Sequence, residues 1–340
     1  MLLEGTILRG REFEPVDGRV VIEDGEIAAV EPGDVRGDDI ILPAFVNAHT
    51  HIGDSVAKEA GEGLSLEELV APPDGLKHRI LDETPQEELV EAMTRSLSFM
   101  DAAGTATCIE FREGGVEGVR AIESAASRSA IDPIVLGRET TTAMEASDGF
   151  GASGAKDGEF TAERNATARE DKLFGIHAGE VDSGDINPAL DLDPDFLVHM
   201  VHAEELHFER VADSEIPVVV CPRSNLVTDV GVPPVRELLD RTTVALGTDN
   251  VFLNSPSMFR EMEFTAKVTD ADTREILRMA TINGAEIAGL NCGLIEAGRD
   301  AQLLVLDGDS DNLTGTRNVA RAVVERAGVN DVKDVVRCGD

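Results

Sequence analysis

The decisive stretch of the chain is Ile40-Ile41-Leu42-Pro43-Ala44-Phe45-Val46-Asn47-Ala48, followed directly by His49-Thr50-His51. The apolar run predicts a buried strand, and every second side chain of a strand points the same way. His49 and His51 therefore point to one side at the carboxyl end of this strand. Two imidazoles in this arrangement are able to bind one metal ion. A pair of hydrogen-bonded loop histidines is the alternative interpretation.

Seven further apolar runs follow this strand and are separated by helical stretches. They cover residues 105–111, 133–138, 149–153, 173–178, 196–201, 217–221 and 243–247. Strands that alternate with helices form parallel sheets, and eight such units over about 250 residues are typical of a (β/α)8 barrel. We therefore predict an α/β fold with a TIM-type barrel. A doubly wound open sheet is the alternative, and the run at 149–153 is the weakest strand because it also fits a loop.

Both ends of the chain contain short alternating runs of the kind that form hairpins. Turns at Asp17-Gly18 and Asp24-Gly25 separate such runs near the start, and residues 301–307 and 319–325 contain them near the end. These patterns predict a small discontinuous β-sandwich domain built from residues 1–42 and 295–340. The catalytic barrel then spans residues 43–294.

The composition restricts the partners and the location of the protein. Its 340 residues include 30 Lys and Arg against 66 Asp and Glu, which gives a formal net charge of −36. This charge repels phosphates, so we expect no nucleic-acid partner. No apolar run is long enough to span a bilayer and no signal segment is recognisable, so we expect a cytoplasmic protein without a membrane partner.

The acid excess also predicts adaptation to concentrated salt. Only six of the 30 basic residues are lysines, and carboxylates are spread along the whole sequence. Concentrated salt screens the repulsion among such charges, while carboxylates keep the surface hydrated. A halophilic protein is therefore expected, and an ordinary acidic enzyme is the alternative.

Three further strand ends carry side chains that suit a metal-dependent hydrolase. The fifth strand ends in His177-Ala178-Gly179-Glu180, the sixth ends in His199-Met200-Val201-His202, and Asp249 follows the eighth. In a (β/α)8 barrel these ends lie at one pole, where active sites form. Three histidines and one carboxylate suit Zn²⁺ or Fe²⁺. The sequence therefore predicts one divalent metal ion, with zinc preferred and iron as the alternative.

Several motifs resemble those of the amidohydrolase superfamily, in its chlorohydrolase and cytosine or adenosine deaminase-like branch. The matching motifs are residues 42–51, His177-Ala178-Gly179-Glu180, Cys221-Pro222-Arg223-Ser224-Asn225, Gly247-Thr248-Asp249 and Thr281-Ile282-Asn283-Gly284-Ala285. The resemblance covers essentially the whole chain. It implies hydrolytic deamination of a small aminated heterocycle of the purine, pyrimidine or pterin type, as a base or a nucleoside.

The resemblance also implies a role for each candidate residue. The implied metal ligands are His49, His51, His177 and Asp249. Glu180 transfers a proton to a ring nitrogen, Asp249 accepts the proton of the attacking water, and His199 orients that water, a role for which His202 is the competitor. The candidate substrate-binding residues are His202, Arg223, Asn225, Arg138 and Arg112.

Other functions and features stay open from the sequence. A cyclic amidohydrolase, or a hydrolase that displaces another group from a heteroaromatic ring, activates water in the same way. A catalytically silent metal-binding protein on the same fold is the second alternative. The segment 52–80 is either a lid over the barrel mouth or a solvated connection, and a homo-oligomer is compatible with the sequence.

Overall fold

The computed structural model describes residues 1–70 and 74–338. The strands are β1 (Leu2–Arg9), β2 (Glu14–Glu23), β3 (Glu26–Pro32), β4 (Ile40–Pro43), β5 (Phe45–His51), β6 (Thr105–Arg112), β7 (Ile134–Gly137), β8 (Gly149–Ala152), β9 (Leu173–Ala178), β10 (Phe196–His199), β11 (Val218–Val220), β12 (Val244–Leu246), β13 (Asp249–Asn250), β14 (Leu303–Leu306) and β15 (Val332–Val336).

The α-helices are α1 (Leu66–Val70), α2 (Leu76–Glu83), α3 (Gln86–Ala102), α4 (Gly115–Ala126), α5 (Thr141–Glu145), α6 (Thr161–Glu170), α7 (Ile186–Leu190), α8 (Glu205–Asp213), α9 (Pro222–Val227), α10 (Val235–Leu239), α11 (Met258–Val268), α12 (Thr273–Ala280), α13 (Ile282–Ile287) and α14 (Val319–Glu325). Short 3-10 helices cover Ile52–Ala57, Ser183–Asp185 and Val329–Asp331. Within the described residues, no helix has both the length and the apolar character needed to cross a bilayer.

Nine strands form a parallel sheet that closes on itself. Their order is β12-β11-β10-β9-β8-β7-β6-β5-β13. β12 and β13 are consecutive pieces of one segment: β12 pairs with β11, whereas β13 pairs with β5 on the other side. The two edges of the sheet are therefore joined through Gly247-Thr248, which produces a barrel with eight strand positions. The predicted TIM-like barrel is confirmed, and it includes β8, the weakest of the predicted strands.

The strand predicted over residues 40–48 is in fact two strands that belong to different sheets. β4 pairs with β1 and β14, whereas β5 pairs with β6 and β13. The change occurs at Ala44, whose N–H donates to Gln302 O at 2.9 Å, while the next N–H, that of Phe45, donates to Gly104 O at 2.9 Å. Consecutive backbone N–H groups therefore bond to different sheets, so the chain passes from one sheet to the other within one residue.

The second sheet combines strands from both ends of the chain. Its order is β15-β14-β4-β1-β2-β3, with β1 and β4 parallel and the other neighbours antiparallel. The alternating run predicted at 319–325 is not a strand but helix α14. Asn318 caps this helix by accepting a hydrogen bond from Arg321 N–H, and Ala320, Val323 and Val324 are buried at helical spacing.

Apolar side chains fill the barrel and fix its walls. Inside, a cluster of buried residues includes Phe111, Phe196, Val198, Val219 and Ala245, which come from four strands. The last helical stretch of the barrel consists of two helices, α12 and α13, which meet at Thr281, a residue with a non-helical backbone. Polar side chains lie instead at the carboxyl ends of the strands, which form one pole of the barrel.

Candidate metal centre and active site

Four side chains from three barrel strands converge at the carboxyl pole. His51 Nε2 lies 3.4 Å from His177 Nε2 and 3.6 Å from Asp249 Oδ1, and His49 Nε2 lies 3.4 Å from Asp249 Oδ1. One possible ligand atom each from His49, His51 and Asp249 lies within 4.8 Å of the other two, which is close enough for all three to bind one metal ion. The structure thus brings together the four predicted ligands.

The protonation states of the three imidazoles fit a metal ion. Burial lowers the pKa of His49 and His177, and burial together with the Lys77 ammonium lowers the pKa of His51 to about 3. His177 Nδ1 lies 2.8 Å from Ala152 O, an acceptor for its N–H, so Nε2 keeps a free lone pair. Neutral imidazoles with free lone pairs are the form that binds metals.

His49 supplies a separate test of the fit. Its side chain is completely buried, and neither ring nitrogen has a hydrogen-bond partner in the described part of the chain. A buried polar atom without a partner costs about 1–3 kcal/mol. A divalent ion bound by His49 would remove that cost, so the donor set and its environment fit a metal centre.

Asp249 is held in place by neighbouring side chains. Ser224 Oγ donates to Oδ2 at 2.6 Å, and Asn250 Nδ2 donates to Oδ1 at 2.9 Å. Burial by itself raises the pKa of Asp249, but His49, whose Nε2 lies 3.4 Å from Oδ1, and the other surrounding imidazoles hold it well below its usual range. The carboxylate is therefore ionised and oriented.

The chain before Asp249 passes very close to β5. A Cβ on Gly247 would lie 2.7 Å from the Cβ of His49, closer than two such atoms approach. Asp249 itself has a φ of +58°, a conformation that few residues other than glycine adopt. Glycine at 247 therefore allows the last strand to reach β5, and the turn that follows aims Asp249 at the histidines.

Glu180 and His199 form the second half of the site. His199 Nε2 lies 3.6 Å from Glu180 Oε2, and Asn225 Nδ2 lies 3.1 Å from His199 Nδ1. Burial raises the pKa of Glu180, so this carboxyl group keeps its proton to a higher pH than an ordinary glutamate does. A carboxyl group that holds its proton more strongly than an ordinary glutamate therefore faces the same space as the candidate metal ligands.

A cavity of about 620 Å³ opens at this pole and is large enough for a small-molecule ligand. The site residues on its wall are His51, His177, Glu180, His199 and Asp249. The segment 52–80 adds Ser65, Leu66, Glu67, Val70, Lys77 and His78 to the wall. The described residues of this segment therefore form one side of the cavity, and motion of the segment as a lid stays a prediction.

A buried carboxylate, Glu113, connects a metal ligand with the cavity wall. Its Oε1 lies 2.8 Å from His51 Nδ1, 2.7 Å from Lys77 Nζ and 3.0 Å from Arg138 Nη1. Burial by itself raises the pKa of Glu113, but Lys77 and His51 hold it well below its usual range. Carboxylates in this position orient metal-binding imidazoles and fix their tautomer.

The two arginines predicted at the ends of β6 and β7 have different surroundings. Arg138 lies on the cavity wall, with its guanidinium bound to Glu113. Arg112 is buried behind this wall, where Nε donates to Gly118 O at 3.3 Å. In the described part of the chain, Arg112 does not line the cavity. Sequence spacing places both residues at strand ends but does not give the direction of a side chain.

The remaining predicted substrate-binding residues also lie away from the cavity wall as far as the described residues define it. Arg223 donates to Ser255 O at 3.3 Å and lies 3.4 Å from Glu261 Oε2. Asn225 is fully buried and contacts His199. His202 follows β10 and donates its backbone N–H to Gly179 O at 2.9 Å. The structure thus gives Asn225 a supporting position beneath the site.

Three residues of the site were not recognised from the sequence. Ser224 lies inside a quoted motif, next to the two residues selected from it, so its hydroxyl was a usable signal. Glu113 follows the last residue of β6 directly, and a carboxylate at a strand end was a weaker signal. Lys77 lies in a long connection without a regular pattern, so nothing in the sequence indicated that it reaches the site.

Comparison with known proteins identifies the family. The model of the amidohydrolase family matches residues 40–205 and 192–340. The chain belongs to the amidohydrolase family. A protein of Methanothermobacter thermautotrophicus, provisionally named an aminohydrolase, is 37% identical over 94% of this chain and 96% of its own length. The 5-methylthioadenosine/S-adenosylhomocysteine deaminase of Haloarcula marismortui is 27% identical over 99% of this chain and 90% of its own length.

Solved structures support the fold of this amidohydrolase. An adenosine deaminase from Xanthomonas campestris with bound zinc superposes with a TM-score of 0.80, over 99% of this chain and 91% of that chain, at 20% identity. At this identity the likeness concerns the fold alone. The family assignment and the deaminase relatives make this amidohydrolase a metal-dependent hydrolase that acts on carbon–nitrogen bonds.

Proposed function

We propose that the protein is a hydrolytic deaminase of a small aminated heterocycle of the purine, pyrimidine or pterin type. The observation that carries the proposal is the position of Glu180 beside His199, facing the space bounded by the candidate metal ligands. Deamination needs a proton for the ring and an activated water on the same carbon. The names of relatives such as the Haloarcula marismortui deaminase support this reaction class.

In this proposal one zinc ion is held by His49, His51, His177 and Asp249. Three neutral imidazoles and one carboxylate are ligands that zinc prefers, and iron is the alternative metal. When bound, the ion supplies positive charge that lowers the pKa of a water molecule towards about 7. The zinc in the Xanthomonas campestris deaminase supports the choice of metal.

The protein side chains then move the protons. Asp249, which is ionised, accepts the proton of the attacking water, and His199 orients that water through Nε2. Glu180, in its protonated form, donates to the ring nitrogen next to the carbon that carries the amine. The carbon becomes more electrophilic, water adds to it, and the exocyclic C–N bond breaks as ammonia leaves after a second proton transfer.

We also propose a domain division and a cellular setting. The sheet of β1–β4, β14 and β15 would belong to a β-sandwich domain of residues 1–42 and 295–340, and the barrel would span 43–294. The change of sheet at Ala44 supports this division. The net charge of −36 supports a salt-adapted cytoplasmic enzyme without a nucleic-acid partner.

The test is ammonia release by the zinc-loaded protein at high salt. The panel holds purines, pyrimidines, pterins, their nucleosides and thioether nucleosides, and ultraviolet difference spectra follow the loss of the amine. We expect release from at least one class, abolished by a chelator and restored by zinc. Hydrolysis of cyclic amides without ammonia release from the panel would favour the cyclic amidohydrolase. Bound metal without turnover of either group would favour the silent metal-binding protein.

A further inference from the structure

Lys77 is a buried lysine that the proposed mechanism does not use. It lies on α2, in the segment that covers one side of the cavity, and its side chain is 3% exposed. It is also one of the residues that line the cavity. A lysine is almost never buried to this extent unless its charge is paired. Its partners therefore indicate what it does there.

Two of the three N–H donors of Lys77 have acceptors. Nζ lies 2.7 Å from Glu113 Oε1 and 3.0 Å from Asn250 Oδ1. The next carboxylate oxygen, Asp54 Oδ2, lies 3.8 Å away, which is beyond hydrogen-bond distance. Within the described residues, the third donor has no acceptor. Because Lys77 lines the cavity, a ligand there is able to supply one.

The carboxylate that pairs with Lys77 is shared with other cationic groups. The Glu113 carboxylate lies within 4 Å of three cationic groups, those of Lys77, Arg138 and Arg112. The nearby Asp54 contributes less negative charge than an ordinary aspartate, because burial raises its pKa well above the usual range. This part of the wall therefore favours an electron-rich atom of a ligand.

The position of Lys77 also shows which part of a ligand it would contact. Lys77 Nζ and His51 Nδ1 both lie within 2.8 Å of the same oxygen, Glu113 Oε1. An acceptor bound by Lys77 consequently lies close to the metal ligands, where the reacting ring must be, and not at the mouth. The exposed residues that line the cavity include carboxylates instead, namely those of Glu67, Asp157 and Asp182.

We propose that Lys77 is a substrate-binding residue that donates a hydrogen bond to an oxygen on the heterocyclic ring. The inference rests on the proposed deaminase function and narrows its substrate class. Rings that carry both an amine and a carbonyl satisfy the third donor of Lys77. Rings whose only exocyclic group is an amine leave this donor without an acceptor. A site built to hydrogen-bond a carbonyl discriminates strongly against rings that lack one.

Matched pairs of compounds test this proposal on the zinc-loaded protein. Guanine is compared with 2-aminopurine, cytosine with 4-aminopyrimidine, and pterin with 2-aminopteridine, so that only the carbonyl differs. For the wild type we expect a higher kcat/KM on the carbonyl member of the pair that is turned over. Lys77→Met is expected to lower kcat/KM on the carbonyl member about 10- to 100-fold, mainly by raising KM. On the member without the carbonyl, kcat/KM should change less than about threefold.

Lys156→Met is the matched control. Lys156 also lines the cavity, but it is half exposed and pairs with Asp182. We expect it to leave the preference between the two members unchanged. Lys77→Arg, which keeps the charge, covers the case in which Lys77→Met does not fold, and it should retain more of the preference. Zinc content, measured for each variant, should stay at the wild-type value.

Equilibrium dialysis of the same pairs separates the two proposals. If the wild type releases ammonia from no compound but binds the carbonyl members more tightly, and Lys77→Met removes that preference, the deaminase proposal fails and the role of Lys77 stands. If the wild type binds both members of every pair equally, the role of Lys77 is overturned. An equal loss on both members in Lys77→Met, or the same selective loss in Lys156→Met, also overturns it.

Discussion

Glu113 Oε1 lies 2.8 Å from Nδ1 of His51, which places a buried carboxylate directly behind a candidate metal ligand. Glu113→Gln removes the negative charge that faces Nδ1 of this imidazole, and such carboxylates orient metal-binding histidines. We therefore expect zinc affinity to fall about 10- to 100-fold. Competition with a chromophoric chelator measures this affinity without any reference to turnover.

Glu110→Gln is the control for this variant. Glu110 is buried on β6, three residues before Glu113, but it accepts hydrogen bonds from Ile52 N–H and the Thr50 hydroxyl. It has no contact with a ring nitrogen of His51 in the described structure. Its replacement should leave zinc affinity near the wild-type value. Equal affinities for the wild type and Glu113→Gln would show that Glu113 does not position His51.

His177→Ala should remove both metal and activity, because it deletes one of the four candidate ligands. The Nε2 atom of His177 lies 3.4 Å from Nε2 of His51, another of these ligands. Elemental analysis is expected to find one zinc ion per wild-type chain and a large loss in the variant. His202→Ala, at a histidine outside the described cavity wall, should keep the metal. Two metal ions per active chain would contradict the mononuclear site.

Glu180→Gln should keep the metal and lower kcat about 10²- to 10⁴-fold, since it removes the proton donor. Burial raises the pKa of Glu180, and the protonated form is the active one. Wild-type kcat should therefore fall as the pH rises through this raised pKa, and the variant should lack that decline. Glu67→Gln at the mouth of the cavity is the control, and an unchanged kcat in Glu180→Gln would remove this residue from the mechanism.

His199→Asn should be far more damaging than His202→Asn. His199 is almost fully buried, faces Glu180 and is held by Asn225, whereas His202 is partly exposed. We expect a loss in kcat of about 10²- to 10⁴-fold in the first variant and a small change in the second. Steady-state kinetics at saturating substrate distinguish them. The reverse order would transfer the water-orienting role to His202.

Stability should rise with salt. The repulsion within a chain of net charge −36 weakens as the Debye length shrinks to about 3 Å near 1 M salt. We expect the melting temperature to increase between about 0.1 and 3 M KCl. Thermal unfolding followed by circular dichroism measures this, with a sodium chloride series as the control for the cation. A flat or falling melting temperature would contradict salt adaptation.

The sequence was sufficient to predict the barrel and the candidate ligands because both depend on local patterns. Alternation along β5 places His49 and His51 on one side, and the barrel architecture collects His177 and Asp249 at the same pole. The boundary between β4 and β5 at Ala44 was missed, because a continuous apolar run does not show where one sheet ends and another begins.

Contacts between distant segments set the limit of that reasoning. Lys77 contacts Glu113 and also Asn250, which is 173 residues further along the chain. No periodicity in the sequence indicates such contacts. Arg223 and Asn225 belong to a recognisable motif, but their side chains point to Glu261 and His199 instead of the cavity. Composition and spacing select such residues, and the tertiary structure decides what each one contacts.

The closure of the barrel through the segment that ends in Asp249 has a consequence for biosynthesis. Asn47 Nδ2 donates to Thr248 Oγ1 at 2.8 Å, and these residues are 201 positions apart. A ribosome must therefore release most of the chain before the first and last strands meet, and ordering so long a loop slows folding. Until then His49 and His51 lack the Asp249 carboxylate, so nascent chains should reach their metal-binding form only after the eighth strand has emerged.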